Sequence, residues 1–285
     1  MDSSKEGFLS IKNIEEFRKN QVAGKEGIIF NELKGEMFID KPHKHDFFVI
    51  ILFLKAKGIH NMDSKDYVLG NREVHILFPG QIHKWSLKAD TLGYQLMVEK
   101  SFFEHFAPYF RFSFTNYQNH PVIQLSSEAF KLILYEFNAI KNELKEEKSL
   151  RQLITARATV IASIVSREAE NKFTEFKIYQ SNPRLARFNM LIDEFYKENK
   201  YVSFYANKLN ISANYLNVLC KTHLKVSATY LIQIRIIKEA KRLLQSTTLS
   251  ISQISFELGF TDHAYFSNFF KMKTGVSPKV FRGKR

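Results

Sequence analysis

Two groups of residues in this chain have types and spacings suited to chemistry. The first is a set of imidazoles: Pro42-His43-Lys44-His45-Asp46 is followed, well downstream, by Pro79-Gly80-Gln81-Ile82-His83. Neutral imidazoles converging from adjacent strands ligate iron, manganese, nickel or zinc, and the same groups serve as hydrogen-bonded supports or as contacts to a small ligand. The second is a set of short polar side chains with a lysine that occurs twice. Asn214, Asn217, Val218 and Lys221 form one copy, and His263, Ala264, Ser267, Asn268 and Lys271 form the other. Amides, hydroxyls and cations on a helix face suit base edges and phosphates.

The second group is placed by a repeat with a period of about fifty residues. Leu209-Asn210-Ile211-Ser212 answers to Leu258-Gly259-Phe260-Thr261, Tyr215-Leu216 to Tyr265-Phe266, Lys221 to Lys271, and Val226-Ser227 to Val276-Ser277. Each copy predicts a helix, a tight turn and a second helix. Asn210 and Gly259 fall where the turn requires a left-handed backbone, which these two residue types adopt at least cost. Ser212 and Thr261 are the expected caps of the second helices. Leu216, Leu219 and Cys220, like Phe266, Phe269 and Phe270, are expected to face inward, leaving the polar sets outward. Between the copies, ATYLIQIRIIKEAKRLLQ predicts a helical spacer. Two reading helices on one side of a duplex must enter successive major grooves about 34 Å apart, and a helix holds that separation better than a loop.

The imidazoles lie in sequence of another kind. From Gly27 to about Lys100, the runs IIFNEL, EMFID, FFVIILFLK, KDYVL, EVHILF and LGYQLMV are rich in β-branched and aromatic residues. Turn signals at Asp40-Lys41-Pro42, Gly58, Gly70-Asn71, Pro79-Gly80 and Ala89-Asp90 separate them, predicting a small antiparallel barrel or sandwich. The sole tryptophan, Trp85, and Tyr94 are aromatic candidates for its interior. Residues 101–125 are rich in Phe and Tyr without a clear period. Two helical patterns follow. One starts near Ser127 and carries Phe130, Ile133, Leu134, Phe137, Ile140 and Leu144; the other starts at Ser149 and carries Leu150, Leu153, Ile154, Val160, Ile161, Ile164 and Val165. They predict an antiparallel hairpin whose apolar faces cover the barrel or meet a second copy of the chain. Residues 171–182 read as a polar, irregular linker ending in Asn182-Pro183, a helix-start signal.

Charge divides along the same line. The chain has 285 residues and a formal net charge of +13, but residues 181–285 hold 17 Lys/Arg against 6 Asp/Glu, and the remainder 25 against 23. A basic module joined to a nearly neutral one points to a polyanion partner, because phosphate neutralisation with counterion release needs clustered cations. The single cysteine, Cys220, excludes an intramolecular disulfide and a cysteine-based zinc site. The N-terminal stretch has no long apolar region, and Phe47 to Leu54 is far too short to cross a bilayer, so the expected location is the cytoplasm, away from membranes.

Residues 183–285 resemble the AraC/XylS family of bacterial transcription regulators. The resemblance is carried by SISQISFELGFTDHAYFSNFFKMKTGVSPKVFR, with Ile254, Gly259-Phe260, Tyr265-Phe266, Phe270-Lys271, Gly275, Ser277-Pro278 and Arg282, and upstream by Arg235, Ala240 and Leu243-Leu244. Leu224 stands where the family often has Gly, Cys220 where it often has Phe and Ser255 where it often has Ala, all at packing positions. The histidine pattern resembles the cupin barrel that often serves this family as a sensor. Metal cupins usually place a Glu a few residues beyond His-x-His, and Val49 and Ile50 stand there instead.

Together these readings imply an α+β multidomain chain. Its expected parts are a cupin-like antiparallel β-barrel over residues 1–125, a dimerising helical hairpin over 126–170, a linker over 171–182, and an all-α domain over 183–285. The last holds two helix-turn-helix units at about 202–223 and 251–273. The function implied is sequence-specific DNA binding and transcription activation. The partners would be double-stranded DNA, a second copy of the chain, RNA polymerase and a small-molecule effector. Ser212, Asn214, Asn217, Val218, Lys221, Thr261, His263, Ser267, Asn268 and Lys271 are the expected DNA contacts, and His43, His45, His83 and Trp85 the expected ligand contacts. No catalytic residue, metal or cofactor is implied. A second function from another class is a cupin metalloenzyme with a DNA-binding tail.

Overall fold

The computed structural model describes residues 11–12, 14, 23–25, 27–63 and 65–283, so the reading of residues 1–10 for a leader lies outside it. Two compact units divide at Phe176 and Lys177. The first unit is rich in sheet and the second is helical.

The strands of the first unit are β1 (Ile11–Lys12), β2 (Ala23–Lys25), β3 (Ile28–Lys34), β4 (Met37–His45), β5 (Phe48–Lys55), β6 (Gly58–Met62), β7 (Lys65–Val68), β8 (Glu73–Leu77), β9 (Ile82–Leu87), β10 (Leu92–Val98) and β11 (Val122–Gln124). They form two sheets in the orders β1-β4-β9-β6-β7 and β11-β8-β5-β10-β3-β2. Of the expected barrel or sandwich, the strands therefore make two separate sheets, and the barrel is not closed. Among the described strand pairs only β1 with β4 is parallel. β5 explains the layering. Val49, Ile51 and Phe53 join the core that also holds Trp85, Met97 and Leu77, while Phe48 stacks on Phe103 at 4.3 Å and meets Phe106 and Phe110 on the other side. A strand covered on both faces needs an unbroken apolar run, which FVIILFLK supplies.

Two strands that carry histidines, β6 (GIHNM) and β9 (IHKWSL), are absent from the predicted runs because polar residues interrupt them. The predicted break at Asp40-Lys41-Pro42 is instead an irregularity inside β4, where the register with β9 shifts between Ile39 and His43. Proline is tolerated at such a bulge, where the ladder does not need its missing N–H. The aromatic stretch beyond β10 forms α1 (Lys100–Phe106) and α2 (Phe114–Asn119).

The helical hairpin is α3 (Ser127–Glu143) and α4 (Arg151–Lys172). Ser126, next to the predicted start at Ser127, caps the first helix and accepts from the Ala129 amide at 3.2 Å. α3 lies over the sheet: Phe137 meets Phe30 at 6.2 Å and Tyr94 at 6.4 Å, and Lys141 pairs with Glu32. Tyr94 is therefore an outer-face residue under a helix and lines no interior. Hydrogen bonds from Lys141 and Lys34 hold the Glu32 carboxyl down at about 2. Ile133 and Ile161 are buried, whereas Leu132, Tyr135, Leu150 and Val160 are exposed, so the predicted inward face of α4 was wrong at Leu150 and Val160. Residues 171–182 are not irregular. α5 spans Thr174–Ser181, and its Phe176 is buried against Phe112 and Tyr117 at 4.8 and 5.3 Å. A polar stretch hides a helix when one or two aromatics suffice to bury its inner face.

The second unit continues with α6 (Pro183–Phe195), α7 (Val202–Lys208), α8 (Ala213–Leu224), α9 (Ala228–Ser246), α10 (Ile251–Glu257), α11 (His263–Thr274) and α12 (Pro278–Gly283). Asn182 caps α6 with Pro183 in the first turn, as the sequence signal predicts. The predicted spacer is the single helix α9, started by Ser227, whose hydroxyl accepts from the Tyr230 amide at 3.1 Å. No helix among the described residues is long and apolar enough to cross a membrane.

Candidate functional sites

α7 with α8 and α10 with α11 form two helix pairs joined by tight turns built alike. Asn210 and Gly259 take the left-handed backbone, with φ of 53° and 70°. The amide of Ile211 donates to Ala206 O, and that of Phe260 to Ser255 O, each at 3.0 Å. The buried Ser255 hydroxyl also donates to Asp262 O at 3.4 Å, which gives the serine at this packing position a local partner. The two turns differ in length. Ser212 caps α8 as predicted, accepting from Tyr215 N at 3.1 Å. The cap of α11 is Asp262 and not Thr261: its Oδ1 accepts from Ala264 N at 2.6 Å, because the second turn is one residue longer. Asp is an equally good cap and adds a negative charge at the helix N-terminus.

The second helices of the two pairs, α8 and α11, bury most of the predicted faces, with Leu219 only half-buried. Leu216 and Cys220 are fully buried in one, Phe266, Phe269 and Phe270 in the other, and burial pushes the Cys220 thiol up to about 12, so it serves packing and not redox chemistry. Both helices end in a left-handed cap, Lys225 in α8 and Gly275 in α11. Lys225, and not Leu224, thus occupies the glycine position of the first copy.

On the outer face, Asn214, Tyr215, Val218 and Lys221 are exposed in α8, and Ala264, Tyr265, Asn268 and Lys271 at the same helical places in α11. His263 is exposed at the start of α11, Thr261 in the turn before it, and Ser267 is half-buried. Asn217 is half-buried and its amide is engaged within the protein. Its Nδ2 donates to Ala213 O at 3.3 Å and its Oδ1 accepts from Ala228 N at 3.1 Å, so the amide ties α8 to the start of α9. Ser267 stands at this place in the second copy, where the following helix begins with Pro278 and has no N–H to satisfy. The structural counterpart of Asn268 is Val218. Tyr215 and Tyr265 belong to the same outward stripe at 42% and 65% exposure and were missed. Their recurrence in the repeat, one place before an inward residue, was the available signal.

In the sheet unit, His43, His45 and His83 come together fully buried, and one ligating nitrogen from each lies within 4.8 Å of the others. His43 and His83 are cross-strand partners on β4 and β9. Trp85 lies next to them, with its ring centroid 5.7 Å from that of His83, and its indole N–H has no acceptor among the described residues. Two further histidines that the spacing did not reveal join the group. His60 Nε2 is 2.9 Å from His83 Nδ1, His60 Nδ1 is 3.0 Å from His75 Nδ1, and His75 Nε2 is 3.4 Å from a Glu73 carboxylate oxygen. Burial holds the pKa of His60 and His75 below the ordinary imidazole value, opposed at His75 by Glu73.

Comparison with known proteins bears on the whole chain. Residues 205–284 match the family described as a helix-turn-helix domain, which takes in both helix pairs from Tyr205 onward. The arabinose operon regulatory protein of Escherichia coli is 25% identical over 264 residues, covering 87% of this chain and 84% of that protein. The Msm operon regulatory protein of Streptococcus mutans is 27% identical over 252 residues, covering 88% and 81%. Over most of its length the chain is thus similar to AraC/XylS-type transcription regulators. A third full-length relative, the transcriptional activator RhaR of Mannheimia succiniciproducens, is 20% identical over 253 residues, covering 85% and 87%. The helix-turn-helix match places the DNA-binding domain in the basic helical unit. Within it the residues that carried the family resemblance are mainly structural: Gly259 and Gly275 are left-handed, and Arg235 and Arg282 bond to Asp193 and to Leu249 O at 2.7 Å each.

Proposed function

We propose that α7–α8 and α10–α11 are both helix-turn-helix units, and that α8 and α11 enter successive major grooves on one side of the duplex. The observation that carries this reading is the pair of matching exposed stripes, Asn214, Tyr215, Val218 and Lys221 against Ala264, Tyr265, Asn268 and Lys271. In this reading Lys221 and Lys271 reach phosphates from the last turns, Asn214, His263 and Asn268 read base edges, and Val218 meets a thymine methyl. Ser212 and Thr261 approach the backbone, and Ser267 is at the rim. The expected contact by Asn217 is withdrawn, because both ends of its amide serve the protein.

Binding titrations on the mapped operator and on a scrambled duplex, at two salt concentrations, test these roles. Asn268→Ala should lose about 1–3 kcal/mol on the operator and little on the scrambled duplex. Lys271→Ala should weaken both and lower the salt slope by about one. Asn217→Ala should leave selectivity intact and lower stability by about 1 kcal/mol, the usual effect of losing a helix-cap hydrogen bond. Equal losses for Asn268→Ala on both duplexes would remove the base-reading role.

We further infer a homodimer formed through the hairpin, supported by the exposed Leu132, Tyr135 and Val160 on α3 and α4. The buried Ile133 and Ile161 are poor probes, since a charge there disrupts the core. Tyr135→Glu with Val160→Glu should give a folded monomer by sedimentation; a wild-type chain that is already monomeric at high micromolar concentration removes the interface. Division of labour between a sensing sheet unit, at residues His43, His45, His83 and Trp85, and a DNA-reading unit follows the charge segregation. An activating role with RNA polymerase, in the cytoplasm, is in keeping with the activator name carried by one relative. The regulator names of the relatives favour this reading over the metalloenzyme alternative.

A further inference from the structure

Five of the nine histidines lie in one buried string that ends on a carboxylate, and its hydrogen-bond directions are determined by that end. An ionised carboxylate only accepts, so His75 carries its proton on Nε2 and offers Nδ1 as an acceptor. His60 must then donate from Nδ1, which leaves its Nε2 to accept from His83 Nδ1. His83 in turn presents the lone pair of Nε2 to the place where the rings of His43, His45 and His83 meet, with centroids 4.4 to 5.0 Å apart. His45 Nε2, 2.9 Å away, supplies the one proton that this arrangement needs. In this arrangement His45, His60, His75 and His83 carry one proton each, the neutral form that metal ligation needs.

We propose that His43, His45 and His83 bind a divalent transition-metal cation of the zinc class, with His60, His75 and Glu73 as the outer string that orients His83. The cation takes the place of the proton shared by His45 and His83. Ligands about 2.1 Å from zinc in a tetrahedron lie roughly 3.4 Å from one another, so these two nitrogens need to part by only a fraction of an ångström. The set is three neutral nitrogens with no sulfur and no coordinating carboxylate, a composition that suits zinc, nickel, copper or iron far better than magnesium or calcium. Three protein ligands leave a coordination position for water or a small anion. A ligating histidine is usually oriented by a hydrogen bond from its other nitrogen to a carboxylate, carbonyl or water. Here two further imidazoles carry that bond from β9 through β6 to Glu73 on β8, from one sheet to the other. The carboxylate absent from the neighbourhood of His-x-His is thus supplied from a distant strand, as support and not as ligand. This inference concerns the sheet unit alone and stands independently of which residues read DNA.

The test uses the full chain, stripped with a chelator and titrated with cobalt(II) alone, then displaced with zinc. One equivalent per chain should give the intense visible bands of a four-coordinate site, bleached by one equivalent of zinc. His83→Gln and His45→Ala should each lose the bands, and Glu73→Gln should weaken binding about 10-fold or more. Circular dichroism establishes that each variant is folded. A wild-type spectrum with only the weak absorption of a six-coordinate ion, or zinc uptake well below one equivalent, overturns the proposal without recourse to any variant. Undiminished uptake by folded His83→Gln also overturns it, because the metal then sits on the exposed histidines.

Discussion

Gly259→Ala will destabilise the basic unit by about 3–5 kcal/mol, whereas Gly275→Ala, at a similar backbone angle, will cost only about 1–2 kcal/mol. The two glycines have φ of 70° and 80°, so both substitutions bear the left-handed penalty of an L-residue. They differ in surroundings. A Cβ on Gly275 would meet nothing within 4 Å, while one on Gly259 would press into the backbone carbonyl oxygen of Lys197. That oxygen cannot easily retreat. Lys200 donates to it at 2.9 Å and to Gly259 O at 2.8 Å, with its ammonium 4.7 Å from the centre of the Phe260 ring. Since the end of α6 is stapled to this turn, the clash is relieved only by separating α6 from the second helix pair. Urea unfolding of the two variants and the wild type measures the difference. If Gly259→Ala is no worse than Gly275→Ala, close approach of Lys197 is not what restricts this position.

Removal of the Arg235 guanidinium has an expected cost of similar size. Arg235→Met should destabilise the basic unit by about 3 kcal/mol, the lower end of the usual penalty for breaking a buried ion pair from one side, since this pair is largely but not fully buried. Arg235 Nε donates to Asp193 at 2.7 Å, one of its NH groups reaches Glu239 at 3.4 Å, and its plane lies 4.0 Å from the centre of the Tyr196 ring. This joins α9 to α6. Burial acts to raise the Glu239 carboxyl, but the hydrogen bond from Arg242 and the charges of Arg242 and Arg235 outweigh it and hold the group below the usual carboxylate range. A carboxyl depressed on folding contributes stability that is complete above its unfolded value and is lost as pH falls through its folded one. Wild-type protein should therefore keep this contribution until pH drops beneath the usual carboxylate range, and Arg235→Met should begin to lose stability at a higher pH. Denaturation midpoints from pH 7 down to 3 check the shift. Identical acid profiles would show that Glu239 is held by Arg242 alone.

Much of the DNA-reading unit was legible because its constraints are local. A left-handed turn residue is most cheaply Asn or Gly, a helix start favours Ser, Thr, Asn or Asp, and an inward stripe recurs every three or four positions; each rule acts within a dozen residues. Where the reading failed, one residue of difference between the two turns was responsible. That extra residue moved the cap from Thr261 to Asp262 and aligned Asn268 with Val218 in place of Asn217. The role of Asn217 was beyond reach for another reason: its acceptor oxygen serves the amide of Ala228 in the next helix. Side-chain type does not say whether an amide is spent inside the protein.

By itself the sequence determined the basic second unit, its paired helices, its spacer and its resemblance to a family of regulators, because repeat, charge and capping are written in neighbouring residues. Tertiary structure alone decided that the strands make two separate sheets and that residues 174–181 close a helix over Phe112 and Tyr117. It also decided that His60, His75 and Glu73 join His43, His45 and His83. His60, His75 and Glu73 are single residues on β6 and β8, and nothing near any of them in the chain marks it. They meet because strand register places His43 opposite His83 and His60 opposite Trp85, and because the two sheets bring His75 across to His60. Pairing between distant segments is set by burial of the whole core, so the chemistry it assembles exists only once that core has formed.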